Sequence, residues 1–266
     1  MVSEIHRLKF MSQEQYQKKT GAIYGTLFSN YGDKLFNDSV ELFFKRHKRW
    51  GIDTEWFQGK SCLDAGCGGG RFMVALSRLG AREVKGIDIS DGAVNLANER
   101  LRERGFPNAE AAVASVLKIP FADNRFDYVV SSGVIHHTPT PHVAFKELVR
   151  VLKPRGKLFL SIYGTGGLKW LTNDIFRYSI CTVVPFTVME QIFKAVGVPP
   201  NKRYNILDNL YVTHCYRFTE AEVRRWLAHA GFENVRRLKF ERYDYETLLS
   251  RIIHGEGWLQ FYAEKG

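Results

Sequence analysis

The stretch Cys62–Phe72, CLDAGCGGGRF, decides the fold. Four of the five positions from Gly66 to Gly70 are glycine, directly behind an apolar run that holds one acid, Asp64. A loop joining a strand end to a helix start must turn tightly and expose backbone N–H groups. Only glycine lets a ligand come against the main chain there. Many such loops bind dinucleotides, and that fingerprint needs glycine at its first, third and sixth positions. Gly66 and Gly68 satisfy two of them, but the sixth is Arg71; the spacing is instead Asp64-x-Gly66-x-Gly68-x-Gly70. A second acid, Asp88, closes the next apolar run, VKGID, 24 residues after Asp64. A carboxylate at the end of that neighbouring strand can accept both hydroxyls of a ribose.

Outward from this loop, residues 60–163 alternate between strand-like and helix-like patterns. KSCLDAG, EVKGIDI, AEAAVAS, FDYVVSSG and GKLFLSIY are short, nearly continuous apolar runs, as expected of strands buried on both faces of a parallel sheet. Between them, Ser90 is a plausible N-cap for a helix with Val94, Ala97 and Leu101 inward. Phe145, Leu148, Val149 and Leu152 follow helical spacing, with Pro154 and Gly156 closing the element. Alternation of this kind predicts a doubly wound α/β sheet. Beyond Tyr163 the pattern loosens into an aromatic-rich segment, 164–217, with helices expected around 168–181 and 187–196. Thr219 and Glu222 then form a capping box, Val223, Trp226, Leu227 and Ala230 a stripe, and Gly231 a stop. NVRRLKFERYD and WLQFYAE read as a final antiparallel strand pair across the connection 245–257. The leading 58 residues read as helical, with a capping-box start at Ser12/Gln15.

Bulk properties restrict the class. A chain of 266 residues, 45% hydrophobic and 25% charged, is long enough for a sizeable core and is no disordered composition. The N-terminus MVSEIHRLKF mixes charge into what would have to be an apolar signal region, and SICTVVPFTVM is too short to span a bilayer. Cys62, Cys67, Cys181 and Cys215 form no CxxC pair. The expectation is a reduced, cytoplasmic protein, monomer or homodimer, with no membrane partner. The net charge of +10 leaves nucleic acid open as a partner, although solvated basic faces such as KRHKR (Lys45–Arg49) are common.

Taken together, LDAGCGGGRF, GIDIS, LKIPFADNRFDYVVSSGVIHHTP and ELVRVLKPRGKLFLSIY resemble the class I S-adenosylmethionine-dependent methyltransferases, in their small-molecule, methyltransferase-domain branch. The resemblance covers residues 58–163 closely and the last helix and two strands loosely. It implies a seven-stranded Rossmann-like sheet with N-terminal helices and a helical insertion after the fifth strand. With the residue patterns, the expected organisation is a helical lid over 1–58, a cofactor-binding core over 59–163, a cap (substrate pocket or dimer surface) over 164–217, and a last crossover helix with the strand pair over 218–266. The cofactor would be S-adenosyl-L-methionine and the product S-adenosyl-L-homocysteine. Asp64 with Gly66, Gly68 and Gly70 would hold the methionine part, Asp88 the ribose hydroxyls, and Ile89 would pack on the adenine. Ser115 stands where the family usually carries an acid for the adenine amino group, and Ser132 begins a loop that commonly lies along the cofactor.

An α/β sheet binds ligands beyond the carboxyl ends of its strands, where the strand order reverses. That rule places VIHHT beside the glycine loop, making His136 and His137 candidates for a general base if the acceptor must lose a proton. His214, with Asp208, Tyr211 and Tyr216 around it, is the second candidate group; Tyr211 and Tyr216 would touch the substrate. Neither group has the partners of a metal site, so none is expected. SSGVIHH lacks the Asn/Asp-Pro-Pro-aromatic set of nucleic-acid amino methylation. A small organic acceptor is therefore the first expectation and transfer RNA or other RNA the second. A silent scaffold subunit is disfavoured by the intact acids and glycines.

Overall fold

The strand–helix alternation takes shape as one sheet with helices on both faces. The protein is seen in a computed structural model that describes residues 21, 32–239 and 247–266. Its seven strands are β1 (Ser61–Ala65), β2 (Glu83–Asp88), β3 (Ala109–Val113), β4 (Phe126–Ser132), β5 (Leu152–Tyr163), β6 (Phe232–Arg237) and β7 (Trp258–Lys265). They run in the order β3-β2-β1-β4-β5-β7-β6. The first five pair in parallel, and β7 lies antiparallel between β5 and β6. The order reverses between β1 and β4, so a crevice opens beyond the carboxyl ends of these two strands.

Two hydrophobic clusters sit on the two faces. On one, α1 (Asp33–Arg49), α2 (Arg71–Arg78) and α3 (Asp91–Glu103) bring Phe36, Phe43, Met73 and Val94 against Cys62, Tyr128 and Val130 of the sheet. On the other, α4 (Pro141–Val151) and α9 (Glu220–His229) bring Phe145, Leu148, Val223 and Leu227 against Leu63, Val129 and Leu160. The helix starts are capped as their residues dictate. Ser90 accepts the Ala93 N–H at 3.3 Å, and the Thr219 hydroxyl accepts the Glu222 N–H at 3.2 Å while the Glu222 carboxylate accepts the Thr219 N–H at 2.7 Å. Lys45, Lys48 and Arg49 lie exposed at the C-terminal end of α1, where cations complement the helix dipole.

Several elements depart from the expectation. β5 begins at Leu152, not Gly156, because Leu152 pairs with Phe126 across an irregularity in the ladder and Arg155 takes a positive φ of 58° there. Between β5 and α9 lie four helices rather than two: α5 (Leu168–Tyr178), α6 (Ile180–Val183), α7 (Phe186–Ala195) and α8 (Pro200–Tyr211). Pro199 and Pro200 start α8, since proline fits a first turn that needs no N–H donor. The connection before β7 holds a further helix, α10 (Leu248–His254). The Ser12/Gln15 cap and residues 240–244 of the penultimate run lie outside the described residues.

Candidate active site

The glycine loop leaves the end of β1 with φ of +90° at Gly66, +50° at Gly68 and +85° at Gly70. These are values that only glycine adopts without strain. At Gly66 close approach adds a second reason, since a Cβ there would lie 2.2 Å from Val134 Cγ2, in the loop that follows β4. The two loops at the switch point are thus in contact, as the topology requires. From below, Arg100 of α3 donates to the Gly69 carbonyl at 3.1 Å and lies 4.0 Å over the ring of Phe36 in α1.

Asp88 organises the far side of the loop. One oxygen accepts the Gly68 N–H at 2.9 Å and the other the Ser90 N–H at 3.0 Å. Burial pushes its pKa up, and these backbone donors pull the other way. Ile89 is half-buried beside it, and Gly21 reaches the same edge, where a Cβ would stand 3.2 Å from the Ile89 carbonyl. Ser115 lies just past β3, and its hydroxyl accepts the Leu117 N–H at 3.2 Å. Ser132 ends β4, half-buried, opposite Ser161 of β5.

Asp64 is the anomaly. Its carboxylate is buried and neither oxygen has a hydrogen-bond partner among the described residues. Burial pushes its pKa up to about 7; Arg71 opposes the rise and Asp88 adds to it. An unmatched buried carboxylate costs several kcal/mol, and retaining one calls for a cationic partner supplied from outside. An amino-acid ammonium beside a glycine loop is such a partner.

A second cluster stands at the ends of β4 and β5. His136 and His137 form a single 3-10 turn and both are buried. The His136 ring lies tilted at 45° with its centroid 4.0 Å from that of Tyr163, and neither of its ring nitrogens has a partner among the described residues. His137 Nδ1 donates to the His214 carbonyl at 2.8 Å, which leaves Nε2 as the proton-accepting atom. That atom faces Asp208 Oδ2 at 3.8 Å, and the Tyr163 hydroxyl donates to the same oxygen at 3.1 Å. Burial lowers the pKa of both histidines; for His137, Asp208 and the His214 carbonyl counteract it.

Of the expected residues, the structure therefore joins His136 and His137 and brings His214 to them through its main chain. The His214 ring instead stacks on Tyr216 at 5.9 Å. Tyr216 is exposed, though its N–H donates to the His136 carbonyl at 2.9 Å. The Tyr211 hydroxyl donates to the Val184 carbonyl at 2.8 Å, within the insertion. Sequence reading named Asp208 only as a neighbour of His214 and gave Tyr163 no role. The signal for Asp208, an acid one turn from the end of a helix, becomes visible only once α8 is recognised. A cavity of about 660 Å³ also opens between Thr165–Gly167, Arg224, Arg237 and Glu256. Glu220 pairs with both Arg224 and Arg237 there, so its cations are largely matched.

The fold, the glycine loop and the two strand-end acids define a class, and sequence comparison agrees. A profile described as a methyltransferase domain matches residues 63–160. The chain belongs to the class I S-adenosylmethionine-dependent methyltransferases. Among relatives, it is 31% identical over 169 residues to a demethylmenaquinone methyltransferase of Anoxybacillus flavithermus, covering 60% of this chain and 70% of that one. It is 28% identical over 152 residues to the demethylmenaquinone methyltransferase of Bacillus velezensis, covering 55% of this chain and 64% of the relative. The match thus spans somewhat less than two thirds of that relative's length. In fold it is similar to the 1,6-didemethyltoxoflavin-N1-methyltransferase of Burkholderia thailandensis, with a TM-score of 0.56 at 15% identity over 96% of this chain and 91% of that one.

Proposed function

We propose that this chain moves a methyl group from S-adenosylmethionine to a small organic acceptor held between the ends of β4 and β5 and the insertion 164–217. The observation that carries the reading is the buried Asp64 carboxylate, without a hydrogen-bond partner among the described residues, beside a loop whose glycines take positive φ. Asp64 and the Gly66/Gly68/Gly70 backbone hold the amino-acid end, Asp88 the ribose, Ile89 and Ser115 the adenine, and Ser132 the flank. The bound sulfonium supplies an already activated methyl group. What remains for the protein is to align the acceptor, exclude water and accept a proton where the acceptor must lose one.

Here the two histidines divide the work. A base functions best with a pKa near the working pH. His137 has Asp208 and the His214 carbonyl opposing its burial, whereas His136 is lowered by burial and by His137 with nothing to offset them. His137 Nε2 with Asp208 is therefore the proton acceptor. His136, whose ring nitrogens have no partner among the described residues, receives a polar group of the acceptor. The relatives named for demethylmenaquinone make that molecule the first acceptor to try. His137→Gln and Asp208→Asn should each lower turnover by about 10²–10⁴ while leaving S-adenosylhomocysteine binding unchanged. Near-wild-type turnover in both variants would remove the proton-transfer role. Absence of S-adenosylhomocysteine binding in calorimetry would remove the cofactor assignment, and methylation of bulk transfer RNA alone would replace the acceptor class.

A further inference from the structure

The insertion and α10 wear their amphipathicity inside out. In α5, Leu168, Leu171 and Ile175 recur at helical spacing and all are exposed, while the buried member of the helix is Trp170. In α10, Leu248, Leu249 and Ile252 share a face and are likewise exposed, with Leu248 at 77%. The two helices adjoin: a Cβ on Gly167, at the start of α5, would come within 2.4 Å of the Gly255 nitrogen at the end of α10. Further along the insertion Val183 is 79% exposed and Val196 68%. The insertion has its own small core, Leu207 packed by Phe186, Met189 and Phe193, so these outward residues are not its missing interior. An apolar surface of this extent marks a binding face.

Charge selects the occupant. Among the described residues of 168–211 and 247–254, every exposed charged side chain is a cation: Lys169, Lys194, Lys202 and Arg251. The carboxylates of the same helices are withdrawn. Asp174 is half-buried against Arg217, Glu190 is buried against Lys194, and Asp208 faces the active site. A second copy would set cations against cations, which costs association energy. A surface with apolar side chains outward and, among the described residues of these helices, exposed cations but no exposed acid is that of helices lying in the headgroup layer of an anionic membrane. No described helix is long and apolar enough to cross one, so the contact is with one leaflet only.

We propose that α5, α10 and the adjoining helices of the insertion dock this protein onto an anionic lipid surface. The expectation of no membrane partner rests on the lack of a spanning segment, and a contact with one leaflet needs no such segment. Because α8 carries Asp208, docking would place the acceptor side of the site next to the bilayer. The test is flotation of the full chain with phosphatidylglycerol/phosphatidylcholine vesicles and with phosphatidylcholine alone. Wild type should float with the anionic vesicles, less so as salt rises, and poorly with the neutral ones. A variant combining Leu171→Gln, Ile175→Gln, Leu249→Gln and Ile252→Gln should partition at least about tenfold less. Its melting temperature and S-adenosylhomocysteine affinity should match wild type, which separates loss of docking from loss of fold or cofactor site. Failure of wild type to float, or equal flotation of the variant, overturns the proposal. A concentration-dependent dimer that the variant abolishes, with no vesicle binding, assigns the face to a second copy and overturns it as well.

Discussion

Asp64→Asn should make the ligand-free protein more stable in alkali. In the folded chain the carboxyl is held at a pKa of about 7 against an ordinary 3.8. A raised carboxyl pKa means that the folded state binds the proton more tightly than the unfolded state. Stability from this group is therefore present at acid pH and is lost as pH rises from about 4 through 7. A shift of about three units corresponds to about 4 kcal/mol of penalty on the ionised form. Asparagine removes the charge but leaves an unpaired amide, which restores about 1–3 kcal/mol of cost. The net gain is about 1–3 kcal/mol, or roughly 3–8 °C in melting temperature for a chain of this size. Scanning calorimetry of both proteins at a pH of about 8.5 and about 5 measures it, and the difference should shrink at the lower pH. S-adenosylhomocysteine should reverse the order in alkali, because its ammonium stabilises only the wild-type carboxylate. Wild-type affinity for it should fall about tenfold per pH unit below 7, as binding then releases a proton. An Asp64→Asn protein that melts at or below wild type in alkali without ligand would refute the reasoning.

Gly66→Ala meets both a positive φ and Val134; it should cost about 2 kcal/mol or more and weaken cofactor binding. Adding Val134→Ala should recover only the part due to the clash, as read by urea unfolding. Thr219→Ala breaks a two-sided capping box and should cost about 1 kcal/mol in the same assay, with cofactor affinity unchanged. His47, buried and stacked 3.7 Å from Phe43, has its pKa pushed down to about 4 by burial, so the folded state resists its protonation. Stability should fall by about 3 kcal/mol between pH of about 6.5 and 4 through this group, and His47→Met should flatten that decline in a melting-temperature series.

The parallel sheet is legible in the sequence because buried strands repeat an apolar composition that has few other uses. Ser90, Thr219 and the glycines mark the boundaries chemically. The insertion is far less legible. Its helices turn much of their apolar surface outward, so the periodicity that usually locates a core locates nothing there, and Pro199–Pro200 reads equally as a break or a start. The cluster at the ends of β4 and β5 suffers for the same reason. His136 and His137 follow from strand topology, but Asp208 depends on α8 folding back over β5, and no local pattern records that return. Asp64 and Asp88 are visible at once; that one is hydrogen-bonded and the other orphaned is a fact of packing.

The insertion leaves and rejoins the sheet through a single doorway. Phe218 N–H donates to the Tyr163 carbonyl at 3.0 Å and Thr165 N–H to the Phe218 carbonyl at 2.9 Å, so the two ends of the segment are tied to each other. The ladder between β5 and β7 is therefore indifferent to what lies between those ends, and closing a longer or shorter excursion changes the chain entropy by only about 0.6 kcal/mol per doubling. Natural variation can thus replace the whole excursion as one cassette while the glycine loop and both acids stay untouched. In this chain the excursion brings Asp208 to His137. Descendants of one ancestor can in this way trade acceptors and keep a common methyl donor.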